Sequence, residues 1–380
     1  MHRVPNQRRK PLRLATLALC ALAGVASAQP TSLEPVEQGS TDWRKANEAV
    51  SQFKRGHADV LKWEQANDTA SKEAPAVAPD FWLKTADAAV RQAWRARPEL
   101  GSSLSQLGAA NQEHIAQGRW LEVDPAVRRH VDEFDAILDT AVDARKAWWG
   151  AVAAQASLKS QRDMQEASAA AAELARRMAR VGNWSRMEQA QSQSRLGGVK
   201  LQTLKAEAEA KQAHIALLKA LRLQGTASSV GLPDGLPDVS APLITADAVQ
   251  KGLKALRPVL PRAEGMRVQA TARQAFDIYE ASYAAARLSQ EEQTLRQFVY
   301  DETVLRYNGM LLSVWDLLAE TGAQLQANVS AINSKRDLLI AEADLQLVLQ
   351  GGAPASFVGV GAGATACLLY TSDAADERSS

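Results

Sequence analysis

Two cysteines in 380 residues are too few for a disulfide framework, and one of them, Cys20, lies inside an N-terminal apolar run. If that run is removed on export, Cys367 alone remains, and a thiolate metal cage cannot be assembled from it. Aromatic residues make up only 5% of the chain, and beyond the N-terminus no stretch reaches the roughly 18–20 apolar residues a spanning helix needs. Charge of one sign is missing too: 44 Lys and Arg stand against 43 Asp and Glu. Without the five basic residues of the first 28 positions the balance becomes 39 against 43, and such a surface argues against nucleic acid as the main partner. HExxH, CxxC, GxSxG and phosphate-loop patterns are all absent. His57, His114, His130 and His214 are scattered without a shared helix face, and pairs such as Asp132-Glu133 and Glu291-Glu292 read as solvated helix faces. No catalytic, cofactor or metal residues can be assembled.

What the chain has in abundance is Ala, Gln, Leu, Arg and Glu over long stretches, a composition of long helices. The first 28 residues read as a secretory signal: basic MHRVPNQRRKPLR, an apolar run over residues 14–25, and Ala26-Ser27-Ala28 for cleavage. Cys20 also admits a lipoprotein reading, which Leu19 before it disfavours. Residues 29–80 read as an N-terminal helical extension, residues 81–225 as a first helical repeat and residues 226–242 as a linker rich in turn residues. A second helical repeat follows over residues 243–352. Residues 353–380 abandon helical periodicity; their ending has the look of translated adapter or out-of-frame sequence. Gly359 to Ala364 fits a loose dinucleotide pattern, but fewer than 20 residues remain to build the βαβ unit it requires.

The repeat is explicit. LKTADAAVRQAWRARPEL from Leu83 and LITADAVQKGLKALRPVL from Leu243 share eight of 18 positions without a gap. Thr85 and Thr245 would each cap a helix that ends before Pro98 or Pro258. Each copy leads into a long helix, a turn and a return helix of about 40 residues closing on Gly225 or Gly351, a length of coiled-coil scale. In the last helix one row of three- and four-residue steps runs through Leu311, Val314, Leu318, Thr321, Leu325, Asn328, Ile332, Lys335, Leu339 and Glu342, and a second, apolar row through Leu317, Leu338, Leu345 and Leu349. Two rows predict neighbours on two sides, within one chain and between copies. Of the tryptophans, Trp43, Trp63, Trp82 and Trp94 are expected to wedge the N-terminal extension against the bundle. Trp148 and Trp149 are not expected to point inward together, so one of them is available to another protomer.

At these residues the chain resembles the TolC-type outer-membrane efflux family. That family opens each of two repeats with a Leu-Thr-x-x-x-Ala helix ending near Arg-x-Pro, then carries a helical hairpin. Its hairpin tip reads roughly Arg-Tyr-x-x-Gly-x-x-Ser-x-x-Asp; the corresponding stretches here are RVGNWSRMEQA from Arg180 and RYNGMLLSVWDLL from Arg306. The resemblance implies an all-α, coiled-coil-like α-barrel protomer, a homotrimer, and a passive conduit meeting a periplasmic adaptor and an inner-membrane pump. It places adaptor contact at the tip residues Val181, Gly182, Ser185, Asn308, Gly309 and Ser313, with Gly182 and Gly309 free to take positive φ at the bend. It also implies export to the outer membrane or periplasm. One departure stands out: residues 101–130 and the stretch from Pro261 lack the alternation of membrane-barrel strands, so little or no β-strand is expected. A periplasmic coiled-coil scaffold without channel activity is the alternative.

Overall fold

The computed structural model describes residues 79, 81–225, 229–238, 244–357 and 359, all within the unit Val77–Ser380. The signal, the helical extension with Trp43 and Trp63, and most of the tail lie outside the described residues. Each repeat begins with a short amphipathic helix. Thr85 caps α1, Ala86–Arg95, by accepting the Ala88 amide at 3.3 Å, and Thr245 caps α6, Ala246–Leu256, by accepting that of Ala248 at 3.2 Å. Both helices stop within a turn of a proline. The repeats then differ. The first inserts α2, Gly101–Leu107, and α3, Ala109–Gln117, followed by 3-10 turns at Trp120–Glu122 and Pro125–Arg129. The second passes within a few residues from α6 into its long helix.

The long elements repeat almost residue for residue. In the first hairpin α4, Phe134–Arg180, has 47 residues and α5, Arg186–Ala220, has 35. In the second, α7, Arg262–Asn308, has 47 and α8, Val314–Leu349, has 36. The return helices are therefore shorter than the 40 residues expected. Gly225, although at φ 80, is not the stop of α5, which ends at Ala220 with Arg222 left-handed at φ 51 just beyond it. The Arg222 guanidinium reaches Glu99 at 2.7 Å and the Ala96 carbonyl at 3.4 Å, tertiary contacts that hold a backbone conformation glycine would adopt freely.

α4 packs on α5 and on α8, and α8 packs on α7, so the four long helices form a layer in the order α5–α4–α8–α7. This order explains the two rows of α8. Leu338, Leu345 and Leu349 enter a core with α6 and the first part of α7, while Ala343 and Leu347 enter a second core with α1, the insert and α4. A leucine as fully covered as Leu345 contributes about 2 kcal/mol. The same sandwiching overturns the expectation for the paired tryptophans: Trp148 and Trp149 are both buried. With neighbours on two sides, α4 has two inward faces. Trp148 donates its indole N–H to the Leu83 carbonyl at 3.0 Å, and Trp149 lies beneath the Arg145 guanidinium at 4.8 Å. Trp94 is buried as expected, donating to the Ile137 carbonyl, but Trp82 is not: it is 57% exposed and lies over Gly231.

Strand content among the described residues is one parallel pair, β1, Phe81–Trp82, beside β2, Val230–Gly231. The fold is otherwise helical.

Candidate functional site

Both long hairpins turn through five-residue links that are built alike. At the first tip the amides of Val181, Gly182 and Asn183 donate to the carbonyls of Arg177, Ala179 and Met178 at 3.2, 3.2 and 3.0 Å. Gly182 adopts φ 81, completing a Schellman stop. Ser185 then opens α5: its hydroxyl accepts the Glu188 amide at 3.2 Å, and the Glu188 carboxylate accepts the Ser185 amide at 2.7 Å. The second tip repeats this bond for bond. Gly309, Met310 and Leu311 donate to Leu305, Tyr307 and Arg306 at 3.0, 2.9 and 2.9 Å. Ser313 and Asp316 form the capping box at 3.2 and 2.9 Å, and the Ser313 hydroxyl also donates to Asp316 at 2.7 Å.

Asn308 and Gly309 are therefore not the bend. Asn308 is the last residue of α7, Gly309 has φ −78, and the left-handed residue is Met310, at φ 58. In both tips that residue stands three positions before the serine cap. Loop register overrides the turn preference of Asn-Gly. Gly182 does take positive φ, and Val181 stands exposed beside it. Ser185 and Ser313 spend their hydroxyls on the caps. Hydrogen bonds from the Ser185 backbone and side chain hold the Glu188 carboxyl below its ordinary range, and those from the Ser313 hydroxyl and backbone do the same for Asp316.

The six predicted residues thus divide three to a tip, and one contact joins the tips. Trp184 and Trp315 stack with ring centroids 4.2 Å apart at an interplanar angle of 22°. Around them the surface is apolar: Val181, Met187, Met310 and Leu311 are all exposed, Met310 at 93%. Trp184, Met187, Met310 and Trp315 were not singled out from sequence, and Leu311, read there as the first seam position of the last helix, lies exposed in the link before it. Their signal was present, as large apolar side chains in and beside turns where polar residues are usual.

Toward the base, Lys146 of α4 pairs with the buried Asp344 of α8, whose carboxyl is pushed up by burial against the opposing pull of that lysine. Arg145 donates to the Ala116 carbonyl at 2.7 Å, and burial lowers its guanidinium to about 10 despite the nearby Glu342. These charges sit in the α4–α8 packing. Between Lys146–Asp344 and the tryptophan stack, no hydrogen bond or ion pair among the described residues joins the two hairpins. A cleft of about 420 Å³ between α7, α8 and residues 235–238 is crossed by Lys335, which donates to the Leu236 carbonyl at 3.3 Å and to Asp238 at 3.0 Å. Among the described residues no three His, Cys, Asp or Glu side chains are grouped to hold a metal, and no helix is long and apolar enough to cross a membrane.

Fold and tips define a class: a tandem helical-hairpin protein, the architecture of the TolC-type resemblance. Three solved structures are similar to it. They are the CmeC outer membrane channel of Campylobacter jejuni, at 13% identity over 74% of this chain and 86% of that one, TM-score 0.45; CusC, described through folding and transmembrane channel formation, at 10% identity over 70% and 92%, TM-score 0.45; and a membrane protein from Pseudomonas aeruginosa, at 10% identity over 70% and 88%, TM-score 0.41. No protein-family model and no curated protein sequence matches the chain.

Proposed function

We propose that this protein is a non-enzymatic, TolC-like component of a tripartite efflux system. In this reading an exported chain assembles as a homotrimer, and six hairpins enclose a passive conduit for small molecules or metal ions across the periplasm and outer membrane. The observation that carries the reading is the pairing of two nearly equal hairpins in a single layer, with matched tips at one end. A layer has two free edges, and a closed ring of copies covers both. The matched tips, apolar and exposed, suit contact with a periplasmic adaptor, with Val181, Gly182, Ser185, Asn308, Gly309 and Ser313 as its frame. An inner-membrane pump would supply the energy.

The second reading is a periplasmic coiled-coil scaffold without channel activity. It draws on one observation: residues 101–130 and 261–290, where barrel strands were looked for in each repeat, hold helices and 3-10 turns and no strand. Fractionation of the mature protein, sedimentation and planar-bilayer recording separate the two. Outer-membrane trimers with conductance are the expected result; a soluble monomer or dimer without conductance overturns the conduit.

A further inference from the structure

The segment between the two repeats is not a slack tether. Residues 232–238 read Leu-Pro-Asp-Gly-Leu-Pro-Asp, the same triplet twice, and proline fixes φ in each copy. Leu232 is buried in the core of the first repeat, and Leu236 packs against that core. The second triplet therefore arrives at α8 as a stiff strap. There the Leu236 carbonyl and the Asp238 carboxylate accept from the Lys335 ammonium at 3.3 and 3.0 Å. This strap forms one wall of the cleft of about 420 Å³, a volume that suits a small molecule.

The other walls come from the second hairpin. Tyr283, Arg287 and Gln290 share one face of α7, and Ala331, Lys335 and Leu338 share one face of α8. Ala331 and Leu338 are buried and give the cleft an apolar floor. The side chains of Tyr283 and Gln290 have no hydrogen-bond partner among the described residues. Charge on the lining is mostly positive. Arg287 spends its Nε on the exposed Glu291 at 3.0 Å, leaving its terminal nitrogens available. Among the described residues the only carboxylate on the lining is the strap's own Asp238.

That carboxylate is an easily displaced partner. Its side chain is 98% exposed, against 25% for Lys335, and an ion pair so open to water is weak. It is nonetheless formed: the hydrogen bond and charge of Lys335 hold the Asp238 carboxyl below its ordinary range. An ammonium has three donors, and the strap engages two of them. A second carboxylate can take the third or replace Asp238. If it carries an apolar body, it also gains the floor of Ala331 and Leu338, which Asp238 does not use.

We propose that this cleft binds a small organic anion, its carboxylate on Lys335 in competition with Asp238 and its apolar body on Ala331 and Leu338. The strap then serves as an internal competitor that keeps the site occupied at low ligand concentration. The site lies within one chain and goes beyond the conduit reading, which neither requires nor supplies it.

Calorimetric titration of the full mature chain with 1-naphthoate tests this, beside neutral 1-naphthylmethanol and inorganic sulfate. One naphthoate per chain is expected, with the alcohol weaker by about tenfold for want of the charged pair. Lys335→Met should weaken naphthoate by a similar factor. Asp238→Asn changes an almost fully exposed side chain, so folding is preserved, and naphthoate should bind about threefold more tightly. In the Lys335→Met chain the same Asp238→Asn exchange should change nothing, because no ammonium is left to contest. No naphthoate binding, an affinity indifferent to Asp238→Asn, or sulfate bound equally tightly overturns the proposal. None of these results bears on sedimentation or bilayer conductance, so the conduit reading stands or falls separately.

Discussion

Met310 carries a cost that its counterpart Gly182 does not. Both occupy the left-handed position of the same five-residue link, yet a side chain there brings Cβ against the following carbonyl. With its side chain 93% exposed, Met310 recovers little of that cost from packing. Met310→Gly is therefore expected to stabilise the protein by about 1 kcal/mol, and Gly182→Ala to destabilise it by about the same amount. Chemical denaturation followed by circular dichroism reads both. If tip 2 is a docking surface, Met310→Gly should also weaken adaptor crosslinking in a protein that folds better than the parent.

At the scale of the element, the return helices depend on their capping boxes. Folded Glu188 and Asp316 titrate below their ordinary ranges, so their contribution is complete at neutral pH. It drains away as the pH falls through the lowered folded values. Ser185→Ala and Ser313→Ala should each cost about 1 kcal/mol at neutral pH and flatten this acid dependence, as unfolding midpoints across an acid series will show. The caps, the prolines after α1 and α6 and the serine-to-acid spacing are local signals, and the hairpin plan was legible from them. Chain partners were less so. The double row of α8 announced two neighbours, but that α4 is equally enclosed, and so buries both Trp148 and Trp149, depends on the order of the layer. The left-handed residue was misplaced for a similar reason. Asn-Gly is a strong turn dipeptide on its own, whereas the bend at Met310 is set by distance from the Ser313 cap. The tip's Trp184–Trp315 stack joins residues over a hundred positions apart, and nothing local marks it.

For the whole molecule, the stretch between Lys146–Asp344 and the tips is a pair of levers. From Lys146 to Val181 is about 50 Å at 1.5 Å per residue. A rotation of one degree at the base therefore shifts a tip by roughly 0.9 Å. Beyond the packing of α4 on α8, the tips themselves are joined by a single aromatic stack of about 1 kcal/mol. The stack therefore adds a weak local tie at the end of the levers. Spin labels on the two tips should report a narrow distance distribution in the parent chain. In Trp184→Ala the distribution should broaden at the tips, while labels near the base stay unchanged; equal widths in both proteins would show that helix packing alone sets the spacing. The hairpins would then behave like a tuning fork with its prongs lightly touching: stiff where they join, and most responsive where they meet.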